Sequence, residues 1–396
     1  MSSTAQPPFI SQLKLTNVLS FKDETIELRA LNVIIGPNGS GKSNLISALE
    51  VLQAAPASLA AKFSSLGGVA KWIRHEANVA SIQALTTVLP RRAAKKLKPD
   101  IRFQLLLASL DNHAFVLDEQ IEDGDLDGHF FFWDGETGPM LSFWEWEDGM
   151  SVSKSRPAGL VDSSESILSQ RRDPDVYPEL FELASAFESI RVYNQWTVGP
   201  KNVLRDFQAT DVPTKYLAED GSNAALIVSK IRGSKNRAEF REAIHEILDG
   251  AEVEVDIDQT RAQLFLFERG SQKVSARRLS DGTLRFIFLA AILLQENLPR
   301  LIVIEEPELG LHPDMLGALA KLLRRASEKT QVIVTTHSTD LVNEFSDEPE
   351  TILISESHEG SSSIRRLDKE KLGSWLTDYS LGDAWRAGAL GGNRWG

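Results

Sequence analysis

The chain has 396 residues, 42% hydrophobic and 25% charged, which is enough for one large or two moderate globular domains. Zero cysteines exclude disulfides, zinc–thiolate centres and cysteine nucleophiles. A net charge of −13 argues against a surface that coats nucleic acid everywhere, while leaving room for one local basic track. No apolar run reaches the roughly 18 residues needed to span a bilayer. The polar opening at residues 1–8 lacks a signal pattern, so a cytoplasmic location is expected.

In chain order, residues 10–18 and 25–28 alternate like strands, and the apolar run 31–35 reads as a buried strand cut off by Gly36. Helical spacing follows at Leu45, Ile46, Leu49 and Leu52. Residues 56–100 are Ala-rich and read as mostly helix or loop. Strands are expected at 101–107, 114–121, 130–133 and 141–146, the last two forming a hairpin around 134–139. The Ser-rich stretch 151–170 reads as an exposed linker. Helices are expected over 177–190 and 223–248, and strands over 252–257 and 262–267. A helix, a strand at 301–304, a helix over 313–327 and a strand at 331–335 complete an α/β alternation. There is no internal repeat and no sustained heptad.

Residues 36–43 (GPNGSGKS) match the phosphate-loop pattern in its required context of strand, Gly-rich turn and helix. The backbone N–H groups of Asn38, Gly39, Ser40 and Gly41, with Asn44 just beyond, are candidates to hold phosphate. Lys42 is expected on the β- and γ-phosphates and Ser43 on Mg²⁺. The apolar strand 301–304 delivers two carboxylates at its C-terminal end, where ligands bind in open α/β sheets. Glu305 is the metal-side acid, and Glu306 is placed to orient and deprotonate the attacking water. His337 follows another apolar strand and is read as a γ-phosphate sensor. Ser280 and Gly282, in Leu-Ser-Asp-Gly-Thr before a helix, form an ordinary N-cap in isolation. In order with the other three motifs, they become a hydroxyl and a helix N-terminus offered to phosphate.

The order phosphate loop, Ser-Asp-Gly-Thr signature, acidic strand and histidine switch resembles the ABC ATPase superfamily. Within it, residues 305–313 (EEPELGLHP), 36–44 and Thr336-His337-Ser338 are similar to the RecF and OLD-like branch of ATPases. Residues 15–21 (LTNVLSF) are similar to the first strand of RecF and SMC heads, and 379–383 with 391–392 resemble tails of stand-alone bacterial members. The motifs cover both ends of the chain, and 56–250 only loosely.

The resemblance implies an α/β fold: an ABC-type ATPase head with a P-loop core sheet and an antiparallel β subdomain, plus an inserted, mainly helical lid. Residues 1–150 would form the N-terminal part of the head, 151–250 the lid and 251–396 the C-terminal part. It also implies a head-to-tail homodimer using ATP and Mg²⁺. ATP on Lys42 of one subunit would be capped by Ser280 and Gly282 of the other, and 308–312 would cross the interface. Glu305 replaces the Asp common in the superfamily. The Gln loop is not placed; Gln104 and Gln195 are candidates. The gap between phosphate loop and signature is too long for a transporter motor, and it lacks the heptads of an SMC coiled coil.

Two roles remain open. One is a DNA-maintenance ATPase clamping duplex DNA, favoured by residues 91–98 (RRAAKKLK), with five cations in eight positions. It is opposed by the acidic residues Asp118, Glu119, Glu122, Asp123, Asp125, Asp127, Glu145, Glu147 and Asp148. The other is an ATP-driven switch for a co-encoded effector, a nuclease or toxin, in defence against phage or mobile elements. The aromatics Phe130, Phe131, Phe132, Trp133, Phe143, Trp144 and Trp146 would then offer a docking surface or fill the hairpin's own core, and Trp375, Trp385 and Trp395 pose the same choice. No nuclease constellation is visible in the chain.

Overall fold

The computed structural model describes residues 7–88, 100–111, 113–124, 128–134, 136, 138–147, 150–195, 199–268, 273–372 and 379–391. A hairpin of β1 (Ile10–Val18) and β2 (Phe21–Glu27) leads into β3 (Leu31–Ile35) and α1 (Lys42–Ala54). Short helices α2 (Leu59–Ser65) and α3 (Val69–Trp72) precede β4 (Val79–Thr87), β5 (Asp100–Leu110), β6 (His113–Asp123), β7 (His129–Asp134), β8 (Gly138–Glu147) and β9 (Met150–Pro157). Next come α4 (Ile167–Gln170), α5 (Pro178–Glu188), β10 (Arg191–Tyr193), β11 (Gln208–Ala209), α6 (Ala224–Gly233) and α7 (Arg237–Ile247). The C-terminal part holds β12 (Glu252–Ile257), β13 (Arg261–Phe267), β14 (Lys273–Ser275), α8 (Asp281–Leu294), β15 (Leu301–Glu305), α9 (Leu316–Ser327) and β16 (Gln331–Thr336). It closes with α10 (Thr339–Asn343), β17 (Ile352–His358), β18 (Ser361–Arg366), α11 (Lys369–Leu372) and α12 (Leu381–Arg386).

The central sheet runs β10-β15-β16-β3-β17-β18, parallel except for β18. Parallel strands covered on both faces must be apolar throughout, and β3 is buried at every residue. Successive side chains point to opposite faces. Val33, Ile35, Ile302, Ile304, Val332 and Val334 therefore enter one apolar cluster with α6 to α9. Ile34, Leu301, Val303 and Ile333 enter another with α1, α5 and the antiparallel strands. Helix α8 is buried at every position from Leu284 to Leu294, as befits the central helix of its layer.

The second sheet is antiparallel, in the order β2-β1-β4-β5-β6-β7-β8-β9. Strands β4 and β5 alternate buried and half-buried positions, so one face packs on the core. A small sheet, β11-β13-β12 with β14 on β13, flanks α6. The arrangement is the expected α/β head with an antiparallel subdomain.

Several expectations are corrected. Residues 56–100 are not only helix and loop: they contain β4, whose Ala-rich inward positions carry a weak alternation but which pairs on both sides, with β1 and β5. Residues 151–170 are not a linker. They complete β9, a polar edge strand paired with β8, and form α4, capped by buried Ser166. Within the stretch 151–250, β10 lies at the edge of the central sheet, and α5, α6 and α7 are the helices inserted around it.

The acidic residues of β6 are also less exposed than their composition suggests. Glu119 and Glu122 are buried; Glu119 accepts from the Ser166 hydroxyl and the Ile167 N–H, and Glu122 pairs with His129 at 2.9 Å. Phe130, Phe131 and Trp385 are buried in the core rather than offered to a partner. The basic run 91–98, Asp125, Asp127, Asp148, Trp375 and Trp395 lie outside the described residues, as do the side chains of Phe143, Trp144, Glu145, Trp146 and Glu147.

Candidate functional site

Strands β3, β15 and β16 are adjacent and parallel, so their C-terminal ends meet at one edge of the sheet. Each ends in a motif: the phosphate loop after β3, Glu305–Glu306 at β15, and His337 after β16. The loop turns into α1 at Gly41, whose φ of +111° is left-handed and whose missing Cβ would lie 2.4 Å from Ser362 Oγ. Only glycine satisfies both conditions. Asn38 and Gly39 are exposed at the loop tip, while Ser40 is buried and its carbonyl accepts from Ser355 Oγ at 2.9 Å. Asn44 turns aside: its amide donates to Ser20 Oγ at 2.7 Å, and Ser362 bonds the same hydroxyl. That side chain anchors the loop to the β1–β2 turn.

Lys42 is buried and folds back on its own loop, donating to the carbonyls of Gly36 at 2.8 Å and Pro37 at 3.0 Å. Burial lowers its pKa to about 8, against the pull of Glu306, Glu305 and Glu308. Ser43 Oγ donates to Glu305 Oε1 at 2.6 Å, so a hydroxyl and a carboxylate converge.

Glu306 sits in the left-handed region at φ +45°, uncommon for a non-glycine residue. Both of its main-chain groups are held. Its N–H donates to the Thr335 carbonyl at 2.9 Å, and its carbonyl accepts from Arg285 Nη2 at 2.6 Å. Its carboxylate lies 3.4 Å from His337 Nε2. Burial first, and the Lys42 charge second, hold the His337 pKa below its ordinary value. The ring is therefore neutral near pH 7, able to donate from one nitrogen. Glu308 turns inward, accepting from Thr336 Oγ1 at 2.6 Å and from the His337 N–H at 2.9 Å.

The structure thus brings Lys42, Ser43, Glu305, Glu306 and His337 together. The signature turn lies against the loop that follows Glu306. Ser280 is exposed and caps α8 by accepting from the Thr283 N–H at 3.0 Å. A Cβ on Gly282 would lie 2.7 Å from the Gly310 carbonyl, so the signature turn packs directly on the loop that follows Glu306. Asp281 binds Arg205 at 2.6 Å and the Gly199 N–H at 2.9 Å.

Three features escaped sequence reading. Arg205 has no motif, yet its guanidinium reaches the carbonyls of Gly199, Ala276, Arg277 and Leu279. Glu308 pins the histidine turn from within. Arg285 did carry a signal: it is the one cation in the apolar run 284–294. Of the two Gln candidates, Gln104 lies inside β5 and accepts from Gln83 at 2.7 Å. Gln195 lies two residues past β10, beside β15, and lines a small cavity with Asp281, Arg285 and Gly310.

Comparison with known proteins bears on the domains and the fold. Residues 163–343 match the family model described as "AAA domain, putative AbiEii toxin, Type IV TA system", and residues 9–103 match "AAA ATPase domain". A putative ABC transporter ATP-binding protein of Clostridium acetobutylicum is 35% identical over 80 residues, 20% of this chain. ABC transporter A family member 7 of Arabidopsis thaliana is 30% identical over 91 residues, 23% of this chain. The chain spans only 28% and 10% of the length of these two relatives. Two solved Smc heads share the fold. One is bound to the C-terminal winged-helix domain of ScpA, with TM-score 0.56 and 15% identity over 92% of this chain and 99% of that one. The other, from Pyrococcus furiosus, has an extended coiled coil and is bound to the C-terminal domain of ScpA; its TM-score is 0.57, with 14% identity over 94% and 99%. Together these matches show likeness to AAA ATPase domains over residues 9–103 and 163–343 and the fold of Smc heads. No helix among the described residues is long and apolar enough to cross a membrane.

Proposed function

We propose that this chain is a Mg²⁺-dependent ATPase that closes on ATP as a head-to-tail homodimer. One observation carries the reading. The hydrolytic groups converge at one edge of the central sheet, while Ser280 is exposed on a turn packed against Gly310. Such a half-site is completed when a second copy lays its signature over the first copy's nucleotide.

Lys42 leaves the carbonyls of Gly36 and Pro37 for the β- and γ-phosphates. Ser43 and Glu305 offer paired oxygens, which suit a hard cation. Among the described residues no three acidic or histidine side chains form a metal cluster, so the remaining ligands would come from nucleotide and water. Bound there, Mg²⁺ would neutralise phosphate charge. Glu306 would take a proton from a water molecule as the water oxygen bonds to the γ-phosphorus, and the bond from the γ-phosphorus to the β–γ bridging oxygen breaks, giving ADP and inorganic phosphate. His337 donates to the γ-phosphate. Gln195, two residues past the pairing of Tyr193 with Ile304 and in one cavity with Arg285, is the preferred Gln-loop residue.

Within this class we favour the RecF and OLD-like branch, acting in the cytoplasm as an ATP-driven switch for a co-encoded effector in phage or mobile-element defence. The toxin-system description of the family matching 163–343 supports that role, as does the protein partner carried by Smc heads of this fold. Glu306→Gln should bind ATP and elute as a dimer, while Lys42→Ala stays monomeric. A Glu306→Gln protein that hydrolyses ATP normally, or remains monomeric with ATP, would sink the reading.

A further inference from the structure

We infer that Arg285 is a positioning residue that carries signature engagement to the base of its own subunit. The inference rests on the head-to-tail reading above. Arg285 lies in α8, whose N-cap is the signature Ser280. Its side chain is buried and donates from Nη2 to the Glu306 carbonyl at 2.6 Å. Glu306 occupies a left-handed conformation that its own backbone disfavours, and such a conformation persists only where neighbours over-determine it. The Thr335 carbonyl fixes the N–H side of the residue and Arg285 fixes the carbonyl side.

A second contact runs in parallel. Gly282 and the Gly310 carbonyl approach too closely for any side chain between them. Helix α8 and the turn 306–310 are therefore linked at both ends of the turn, by a charged hydrogen bond at Glu306 and by backbone packing at Gly310. A shift of the α8 N-terminus, when Ser280 and Gly282 grip the partner's nucleotide, moves the carbonyl that aims the Glu306 carboxylate. Each subunit's base is then set by the nucleotide held in the other, so the two sites fire together. A guanidinium suits such a link because it stays protonated even though burial lowers its pKa to about 10, against the pull of Glu308 and Glu306.

The test is steady-state ATPase kinetics of full-length Arg285→Gln and Arg285→Lys, with nucleotide affinity measured by a fluorescent ATP analogue and folding by thermal melting. Arg285→Gln should lower kcat by about ten- to a hundredfold, as loss of a charge-assisted bond in a catalytic turn predicts, with affinity changed less than about threefold. Its Hill coefficient should fall towards one, and Arg285→Lys should recover part of kcat. A wild-type kcat, or lost turnover with wild-type cooperativity, overturns the inference. So does a parallel loss of nucleotide affinity, which marks a purely structural role. If Arg285→Gln does not fold, Arg285→Lys decides: reduced cooperativity at a normal melting temperature supports the coupling, and wild-type cooperativity refutes it. A wild-type protein without ATP-linked dimers would instead refute the head-to-tail reading, and kcat of Arg285→Gln at saturating ATP would still test the positioning of Glu306.

Discussion

Glu308 Oε1 accepts the His337 main-chain N–H at 2.9 Å, and the same oxygen takes the Thr336 hydroxyl at 2.6 Å. The acid two residues beyond the proposed base therefore sets the position of the proposed phosphate sensor. Two adjacent parallel strands are tied together beyond their last ladder bonds.

Glu308→Ala is expected to lower kcat by about tenfold or more, because two donors lose a charged acceptor and the His337 turn loosens. Nucleotide affinity should change little, since Lys42 and the phosphate loop are untouched. Glu308→Gln keeps one acceptor oxygen and should retain most activity. Rate and affinity measured on both variants check this, and equal kcat in Glu308→Ala and wild type would refute the role.

Lys42 gives a pH dependence with a definite sign. Its pKa in the nucleotide-free protein is about 8, below the ordinary lysine value of 10.5. The ammonium is lost as pH rises through about 8, so ATP affinity should fall there. Phosphate restores the charged form, and binding near pH 8 should therefore take up protons. Calorimetry in buffers of different ionisation enthalpy measures that uptake, which Lys42→Ala should abolish.

Arg205 clamps the loop that enters the signature, bonding the carbonyls of Ala276, Arg277 and Leu279 and the Asp281 carboxylate. Arg205→Ala should weaken ATP-driven dimerisation by about tenfold or more while leaving binding by the monomer intact. Sedimentation with and without ATP, beside a nucleotide titration, separates the two. A dimer of wild-type strength would show that the clamp is dispensable.

Glu119 provides a stability test far from the nucleotide. Burial raises its pKa from 4.5 to about 7, although the Ser166 hydroxyl and Ile167 N–H favour the charged form and nearby Asp118 adds to the rise. Because the folded-state pKa is raised for an acid, its contribution is full below about pH 4.5 and is lost as pH climbs to about 7. The loss is on the order of 3 kcal/mol. Glu119→Gln should flatten this part of the pH profile in denaturant melts between pH 5 and 8.

The groups that converge at the edge of the central sheet were legible in the sequence because their motifs are written locally. A phosphate loop needs glycines, a lysine and a hydroxyl within one turn, and the acidic pair and histidine each need only an apolar strand before them. The α/β alternation was legible for the same reason, since side-chain period reports burial. What remained hidden depends on distant partners. Strand β4 is weakly patterned and exists because β1 and β5 flank it, and polar β9 because β8 offers an edge. Arg205, Glu308 and Arg285 bind main-chain groups, and a carbonyl 21 or 72 residues away leaves no mark on a side-chain pattern. The sequence by itself determined which groups gather at that edge of the central sheet. Only the tertiary structure decided how α8 and its N-terminal turn touch Glu306 and Gly310, because those contacts end on backbone carbonyls that every residue shares.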